Sequence, residues 1–243
     1  MNDETHRYHL LHRLRFLITP QHPCSYLPDE QSMTLFVDPK CDLDQATYSM
    51  LAQLGFRRSG EHLYRPQCPQ CKACIPVRVV VNDFVPTRSK RRIAKRNADI
   101  RVTWHEAQYS DEHFDLYQRY IKARHAGSSM DDDDPLHYQR LLCASWGETR
   151  VMELRCAGQL FGVAITDVLN DGLSAVYTYF DPQQRQRSLG SFAILQQIEA
   201  ARRAALPYLY LGYWIQQCEN MAYKDKFRPF EAFDGHGWRR REP

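Results

Sequence analysis

The chain reads as an α+β protein: a small cysteine-containing α/β unit, then a larger unit of three antiparallel strands, a long helix and a last strand. Three observations predict this. Strand-like runs over Arg150–Arg155, Leu160–Leu169 and Leu173–Phe180 are joined by the turns Ala157-Gly158 and Asn170-Asp171-Gly172. Asp181-Pro182 stops the third run, Gly190–Ala205 has helical patterning, and Tyr208–Gly212 returns as a strand after the helix-breaking Pro207. A hydrophobic content of 43%, with 14 Tyr, 11 Phe and 4 Trp in 243 residues, supplies a core and excludes a disordered chain.

In the first unit, Asp42–Leu54 predicts a helix. Leu43, Ala46, Met50, Leu51 and Leu54 share one face, an acidic residue opens it and Gly55 follows it. Glu61–Tyr64 and the β-branched run Val77–Val81 predict strands on either side of a Cys/Pro knuckle at Pro66–Pro76. Thr87–Asn97 predicts a helix joining the two halves, and the boundary is placed near residue 100, giving units over 1–100 and 101–243. Beyond it, a helix from Ser110 carries Phe114, Tyr117 and Ile121, a polar loop fills Ala126–Pro135, and a short helix follows near Leu136–Ser145. Four consecutive aspartates in that loop, Asp131 to Asp134, read as solvated, because adjacent carboxylates cannot all converge on one metal.

Net charge is only +3, from 32 Lys and Arg against 29 Asp and Glu, so its distribution carries more than its sum. Arg88, Lys90, Arg91, Arg92, Lys95, Arg96 and Arg101 face Asp99 alone, a cationic face suited to nucleic-acid phosphates. Leu14–Thr19, an apolar stretch near the N-terminus, is too short for an export signal or a membrane span. With no such signal, the eight cysteines read as thiols, ligands or core residues of a cytoplasmic protein.

Four thiols, Cys24, Cys68, Cys71 and Cys74, have types and spacing suited to zinc or an iron-sulfur cluster, although a proline-rich turn also holds three thiols without metal. Cys24 has a second reading, as a nucleophile carrying an acyl group; no sequence-adjacent His or carboxylate supports such a pair.

The order of strands, Gly-containing turn, helix and strand is similar to the acyl-transfer core of the GNAT superfamily. There, a turn of the type R/Q-x-x-G-x-G/A presents backbone N–H groups to the pyrophosphate of coenzyme A. Here the run is Arg187-Ser188-Leu189-Gly190-Ser191-Phe192, and Phe192 at the last small position counts against that ligand.

A more specific resemblance rests on several motifs in order. Pro23-Cys24-Ser25-Tyr26-Leu27-Pro28 and Thr34-Leu35-Phe36 precede Leu63-Tyr64-Arg65-Pro66-x-Cys68-Pro69-x-Cys71-x-Ala73-Cys74-Ile75-Pro76-Val77-Arg78. Tyr213-Trp214-Ile215-x-x-Cys218-x-x-Met221-x-Tyr223-Lys224-x-x-Phe227-x-Pro229 closes the series. Together they resemble the arginyl/leucyl-tRNA-protein transferases over roughly Leu14 to Glu231, and the knuckle resembles the short bacterial subfamily. The resemblance implies leucine transfer from leucyl-tRNA to proteins with N-terminal Asp or Glu, which marks them for degradation.

Such a reaction requires no cofactor, because the aminoacyl ester is already activated. An acidic acceptor calls for a cation, with Arg78 the first choice and Lys224 and Arg228 the others, and Gly190 marks the helix turn toward the substrate. Tyr179 and Tyr213 are expected at the reaction centre, beside a leucyl slot with Tyr177, Phe180 and Trp214. Arg88, Arg91, Arg92, Lys95 and Arg96 are expected on tRNA. Two alternatives remain open, a coenzyme A-dependent N-acetyltransferase and a non-catalytic zinc-knuckle RNA-binding module. Oligomeric state is not legible.

Overall fold

The structure is a computed structural model that describes residues 11–127 and 131–241. Three positions of the expected polar loop and both extreme ends of the two expected units lie outside the described residues.

The N-terminal unit is built on a four-stranded antiparallel sheet of order β1-β4-β6-β5. Its strands are β1 (Phe16–Ile18), β4 (Thr34–Val37), β5 (Arg57–Ser59) and β6 (His62–Pro66), with β2 (His22–Pro23) and β3 (Gln31–Ser32) pairing as a small ribbon. Helix α1 (Gln45–Gln53) packs Tyr48, Met50 and Leu51 against Leu63 of this sheet and against Leu169 and Tyr210 of the large one. The Asp44 side chain caps its first turn by accepting from the Thr47 N–H at 2.7 Å, the local reason the helix starts there.

The second sheet has eight strands. Its order is β14 (Trp238–Arg241), β13 (Phe230–Phe233), β7 (Ile75–Val80), β12 (Tyr208–Trp214), β11 (Gly172–Phe180), β10 (Gln159–Leu169), β9 (Thr149–Cys156) and β8 (Arg101–Glu106). The expected meander is β9 to β11, and the expected strand after the helix is β12. Strand β7, from before residue 100, pairs antiparallel with both β12 and β13, so the sheet runs across the sequence boundary between the units. Helix α2 (Arg88–Arg96) and the long helix α5 (Leu189–Arg203) pack together on one side of the sheet, and α3 (Asp111–Arg124) and α4 (Pro135–Leu142) cover β10 and β11. The aspartates before α4 behave as solvated groups. Asp134 caps α4 through the Leu136 N–H at 2.9 Å, and Asp133 meets Lys122 at 3.1 Å on the surface.

Between the two sheets lies a buried ion pair. Arg58 of β5 donates from Nε and a terminal nitrogen to the two oxygens of Asp167 on β10, at 2.7 and 2.8 Å, and both side chains are almost wholly buried. Thr149 on β9 and Tyr48 on α1 donate to the same carboxylate, at 2.7 and 3.0 Å, and the remaining guanidinium hydrogens reach the carbonyls of Gly60, Leu141 and Leu142. The pair joins α1, β5, β9, β10 and the end of α4 at one point.

Removing one member leaves a buried charge uncompensated, which costs about 3–5 kcal/mol. We expect Arg58→Met and Asp167→Asn each to lower the urea midpoint by a loss of that order. A loss below about 0.5 kcal/mol, on the ordinary scale of surface substitutions, would contradict this role.

Candidate active site

Strands β11 and β12 run parallel, but they pair only at Gly172 with Tyr208, Leu173 with Leu209 and Ser174 with Tyr210. Beyond those rungs they splay, and each strand bulges at the point of divergence. On β11, Ala175 faces Thr166 and Tyr177 faces Ile165, so Val176 is the extra residue; on β12, Leu211 is extra opposite β7. A bulge re-aims the strand and frees backbone groups from the ladder, the usual arrangement beside a site of chemistry.

Arg57 fills the gap. It precedes Arg58 on β5, so its side chain leaves the opposite face of the strand. One terminal nitrogen donates to the carbonyls of Ala175, at 2.8 Å, and Val176, at 3.3 Å, at the β11 bulge. Across the gap stands Gly212 with φ +75°, where an added Cβ would lie 1.7 Å from the other terminal nitrogen of Arg57. Only a residue without a side chain admits the guanidinium there.

Tyrosines surround this position. Tyr26, Tyr213 and Tyr223 each lie within the field of the Arg57 charge, yet burial holds all three phenols above their ordinary range, so they act as neutral hydroxyls. On the β11 side an aromatic slot is formed by Tyr117, Tyr120, Tyr177 and Phe180, with Tyr120 and Phe180 ring centroids 5.0 Å apart. The Tyr177 hydroxyl is buried there without a hydrogen-bond partner among the described residues. On the other side, Tyr26, Tyr64 and Tyr213 line a cavity of about 660 Å³.

The expected residues distribute themselves around this centre unevenly. Tyr213 borders it but is buried, donating to the carbonyls of Gly55 at 3.0 Å and Tyr64 at 3.2 Å, which ties β12 to the N-terminal unit. Tyr179 lies in the core with its hydroxyl against that of Tyr138; fully enclosed between Tyr117 and Tyr138, it supports the aromatic slot from behind instead of touching substrate. Lys224 is buried under the same region, its ammonium donating to the Tyr213 carbonyl, and desolvation followed by the nearby Arg57 charge lowers its pKa to about 7.

Arg78, the first choice for an acceptor cation, is committed elsewhere. It pairs with Glu231 at 2.7 Å, donates to the Tyr210 hydroxyl at 3.0 Å and stacks between the rings of Tyr208 and Trp238. Its charge is thus balanced inside the junction of β7, β12 and β13, and the acceptor cation must be sought elsewhere. Arg228 lies over Phe230 and reaches the Arg241 carbonyl at 3.4 Å, away from the splay.

All four knuckle-associated thiols, Cys24, Cys68, Cys71 and Cys74, border the same cavity. Burial and its three thiol neighbours push Cys74 up to about 12, which keeps it a thiol at neutral pH. Cys24 accepts a weak bond from the Tyr26 N–H at 3.5 Å. Among the described residues, no three His, Cys, Asp or Glu side chains are grouped so as to hold a metal ion.

On the outer side, Arg88, Arg91, Arg92, Lys95 and Arg96 of α2 are exposed, whereas Lys90 turns inward over the Phe227 ring at 3.5 Å, and desolvation lowers its pKa to about 8. The C-terminal end of α2 abuts the start of α5, where Asn97 donates to the Arg187 carbonyl at 2.8 Å and Arg96 to that of Gln186. Gly190 sits in the first turn of α5, and an added Cβ there would stand 3.3 Å from the Phe180 ring. Phe192 points into the core with Leu154 and Phe161. Sequence reasoning missed Arg57, Tyr120 and Gly212; a pair of arginines in a short strand before a glycine turn was the available signal.

Lys224 also makes a prediction. Its folded pKa of about 7 is below its ordinary 10.5, so above pH 7 the unfolded chain binds more protons and stability rises with pH. Lys90, lowered to about 8, adds a rise of the same sign that persists when Lys224 is replaced, and the buried Cys74 opposes both only above the ordinary thiol value of 9.0. Urea unfolding between pH 7 and pH 8.5 should therefore show a rising stability that Lys224→Met makes shallower; an identical slope in the variant would contradict the assignment.

Comparison with known proteins places these features in a family. Residues 22–92 match the N terminus of the arginine-tRNA-protein transferases and residues 112–234 match their C terminus. The chain is 50% identical to the aspartate/glutamate leucyltransferase of Chromohalobacter salexigens over 95% of this chain and 94% of that one. It is 51% identical to that of Alcanivorax borkumensis over 94% and 95%. In fold, it resembles the C-terminal domain of a putative lysylphosphatidylglycerol synthetase from Agrobacterium fabrum, with a TM-score of 0.51 and 16% identity, covering 76% of this chain and 62% of that chain. The chain belongs to the arginine-tRNA-protein transferase family, among relatives named aspartate/glutamate leucyltransferase.

Proposed function

We propose that the protein transfers leucine from leucyl-tRNA to the α-amine of proteins beginning with Asp or Glu, which marks them for degradation. The observation that carries this reading is the splay of β11 and β12, flanked by an aromatic slot on one side and, at the start of α5, by an exposed basic helix. A slot of tyrosine and phenylalanine rings suits an apolar side chain such as leucine. The basic helix suits the phosphates of an acceptor stem.

The chemistry asks little covalent help of the protein. The α-amine has a reference pKa of about 7.7–8.0, so a useful fraction is already neutral, and positioning it against the ester carbonyl supplies most of the acceleration. Attack forms the amide bond as the ester C–O bond breaks; the 3′-terminal ribose oxygen leaves and takes up a proton, and the amine loses one. Orienting the carbonyl is a role that needs fixed donors and no titrating residue. The neutral hydroxyls of Tyr26 and Tyr223 beside Arg57 are further candidate donors.

The direct assay incubates the protein with single charged, labelled tRNAs and peptides differing only in their first residue. Leucine should appear on Asp- and Glu-initiated peptides; equal labelling of Ala-initiated peptides, or use of arginyl-tRNA alone, would overturn the reading. The basic helix is tested separately. Changing Arg91, Arg92 and Lys95 together to Ala should raise the KM for tRNA and reduce the salt slope of binding by roughly 2–3, about one unit for each phosphate that is no longer neutralised. An unchanged slope would make α2 a solvated surface.

A further inference from the structure

The buried arginines Arg58 and Arg78 each have a carboxylate, Asp167 and Glu231, and even the more open Arg155 and Arg187 hold Glu153 and Asp99. Arg57 is half-buried at the centre of the splay, and its donors meet two main-chain carbonyls, with no carboxylate among the described residues in ion-pair range. A second cation, Lys224, is buried near enough that the Arg57 charge adds to the desolvation lowering its pKa. A guanidinium withdrawn from water without an anion is costly, so its retention points to an anion delivered by a ligand.

Two anions belong to the reaction proposed above, the tRNA phosphates and the acceptor's side-chain carboxylate. The exposed cations of α2 lie on the outer face and answer to the phosphates. Arg57 lies at the diverging bulges, where an acyl ester and an attacking amine would meet, and in an Asp or Glu acceptor the carboxylate is only a few bonds from that amine. The Nε and the other terminal nitrogen of the guanidinium are the donors those two carbonyls leave unused, and a carboxylate oxygen accepts from such a donor in a charge-assisted hydrogen bond. Resting on that reading, we propose that Arg57 is the specificity-determining residue that receives the N-terminal Asp or Glu carboxylate of the acceptor, held in place by the Ala175 and Val176 carbonyls and by the open face of Gly212.

Binding and transfer are measured separately, so that a failed donor assignment and a failed acceptor assignment look different. First, calorimetry without tRNA compares Asp- and Asn-initiated peptides on the wild-type protein, Arg57→Lys and Arg57→Met. The wild type should prefer the Asp peptide, Arg57→Met should lose that preference through about a hundredfold weaker Asp-peptide binding, and Arg57→Lys should fall between. Second, leucine transfer should show the same collapse in the ratio of kcat/KM for Asp against Asn peptides, while leucyl-tRNA binding stays within twofold. A variant that misfolds is replaced by Arg57→Ala supplemented with free guanidinium, which should restore Asp-peptide binding. Equal binding of Asp and Asn peptides by the wild type, or an Asp preference retained in Arg57→Met, overturns the proposal. If the wild type shows no leucine transfer yet retains an Arg57-dependent Asp preference in binding, the donor assignment fails and this one stands.

Discussion

The Arg58–Asp167 pair is the constraint on which the rest of the structure depends. An ion pair sequestered between two sheets is weak support for stability in itself, because desolvation offsets much of the attraction. What it supplies is position. Asp167 has satisfied partners on β9, α1 and β5, and Arg58 has three further carbonyl acceptors, so a shift of β5 by one residue would strand all of them at once. That register fixes the neighbouring residue too. Side chains alternate along a strand, so anchoring Arg58 inward aims Arg57 outward at the gap between β11 and β12. One residue locks the strand and the next uses the lock.

The same division recurs across the large sheet. Strand β7 arrives from the N-terminal unit and pairs on both edges, with β12 and with β13, and Arg78 on it is balanced by Glu231 and Tyr210. Tyr213 adds a second tie by donating to the carbonyls of Gly55 and Tyr64. The N-terminal unit is thereby held against the diverging ends of β11 and β12, so the cavity between them has walls from both halves of the sequence. A half-buried guanidinium in such a place keeps its geometry only because the strands around it cannot relax toward it.

Much of this was legible in the sequence, and the reason differs by feature. The meander, the long helix and the basic helix follow from local patterning and turn residues, and their observed bounds, Thr149–Cys156, Gln159–Leu169, Gly172–Phe180, Leu189–Arg203 and Arg88–Arg96, lie close to those expected. The family was legible from its motifs. The large sheet's two flanks, β8 on one side and β13 with β14 on the other, were not, since a short strand such as Phe230–Phe233 is defined by the distant β7 it pairs with. Residue roles were legible least. Arg78 and Tyr179 stand in the right neighbourhood of the sequence, but Glu231 and Tyr138, which occupy them, lie far along the chain.

The decisive quantity for an arginine is therefore its balance of partners, which sequence does not display. Arg57 and Arg58 are chemically identical neighbours, and nothing local distinguishes them. One has a carboxylate, three carbonyls and no solvent; the other has two carbonyls, a glycine and a ring of tyrosines. In the first case the protein has completed the charge, and the residue is architecture. In the second the charge is left incomplete where β11 and β12 part, and completing it falls to whatever enters there. For an enzyme that must tell Asp from Asn at a chain terminus, an unbalanced guanidinium is the simpler device: a neutral amide cannot compensate it, whereas a carboxylate of either length can.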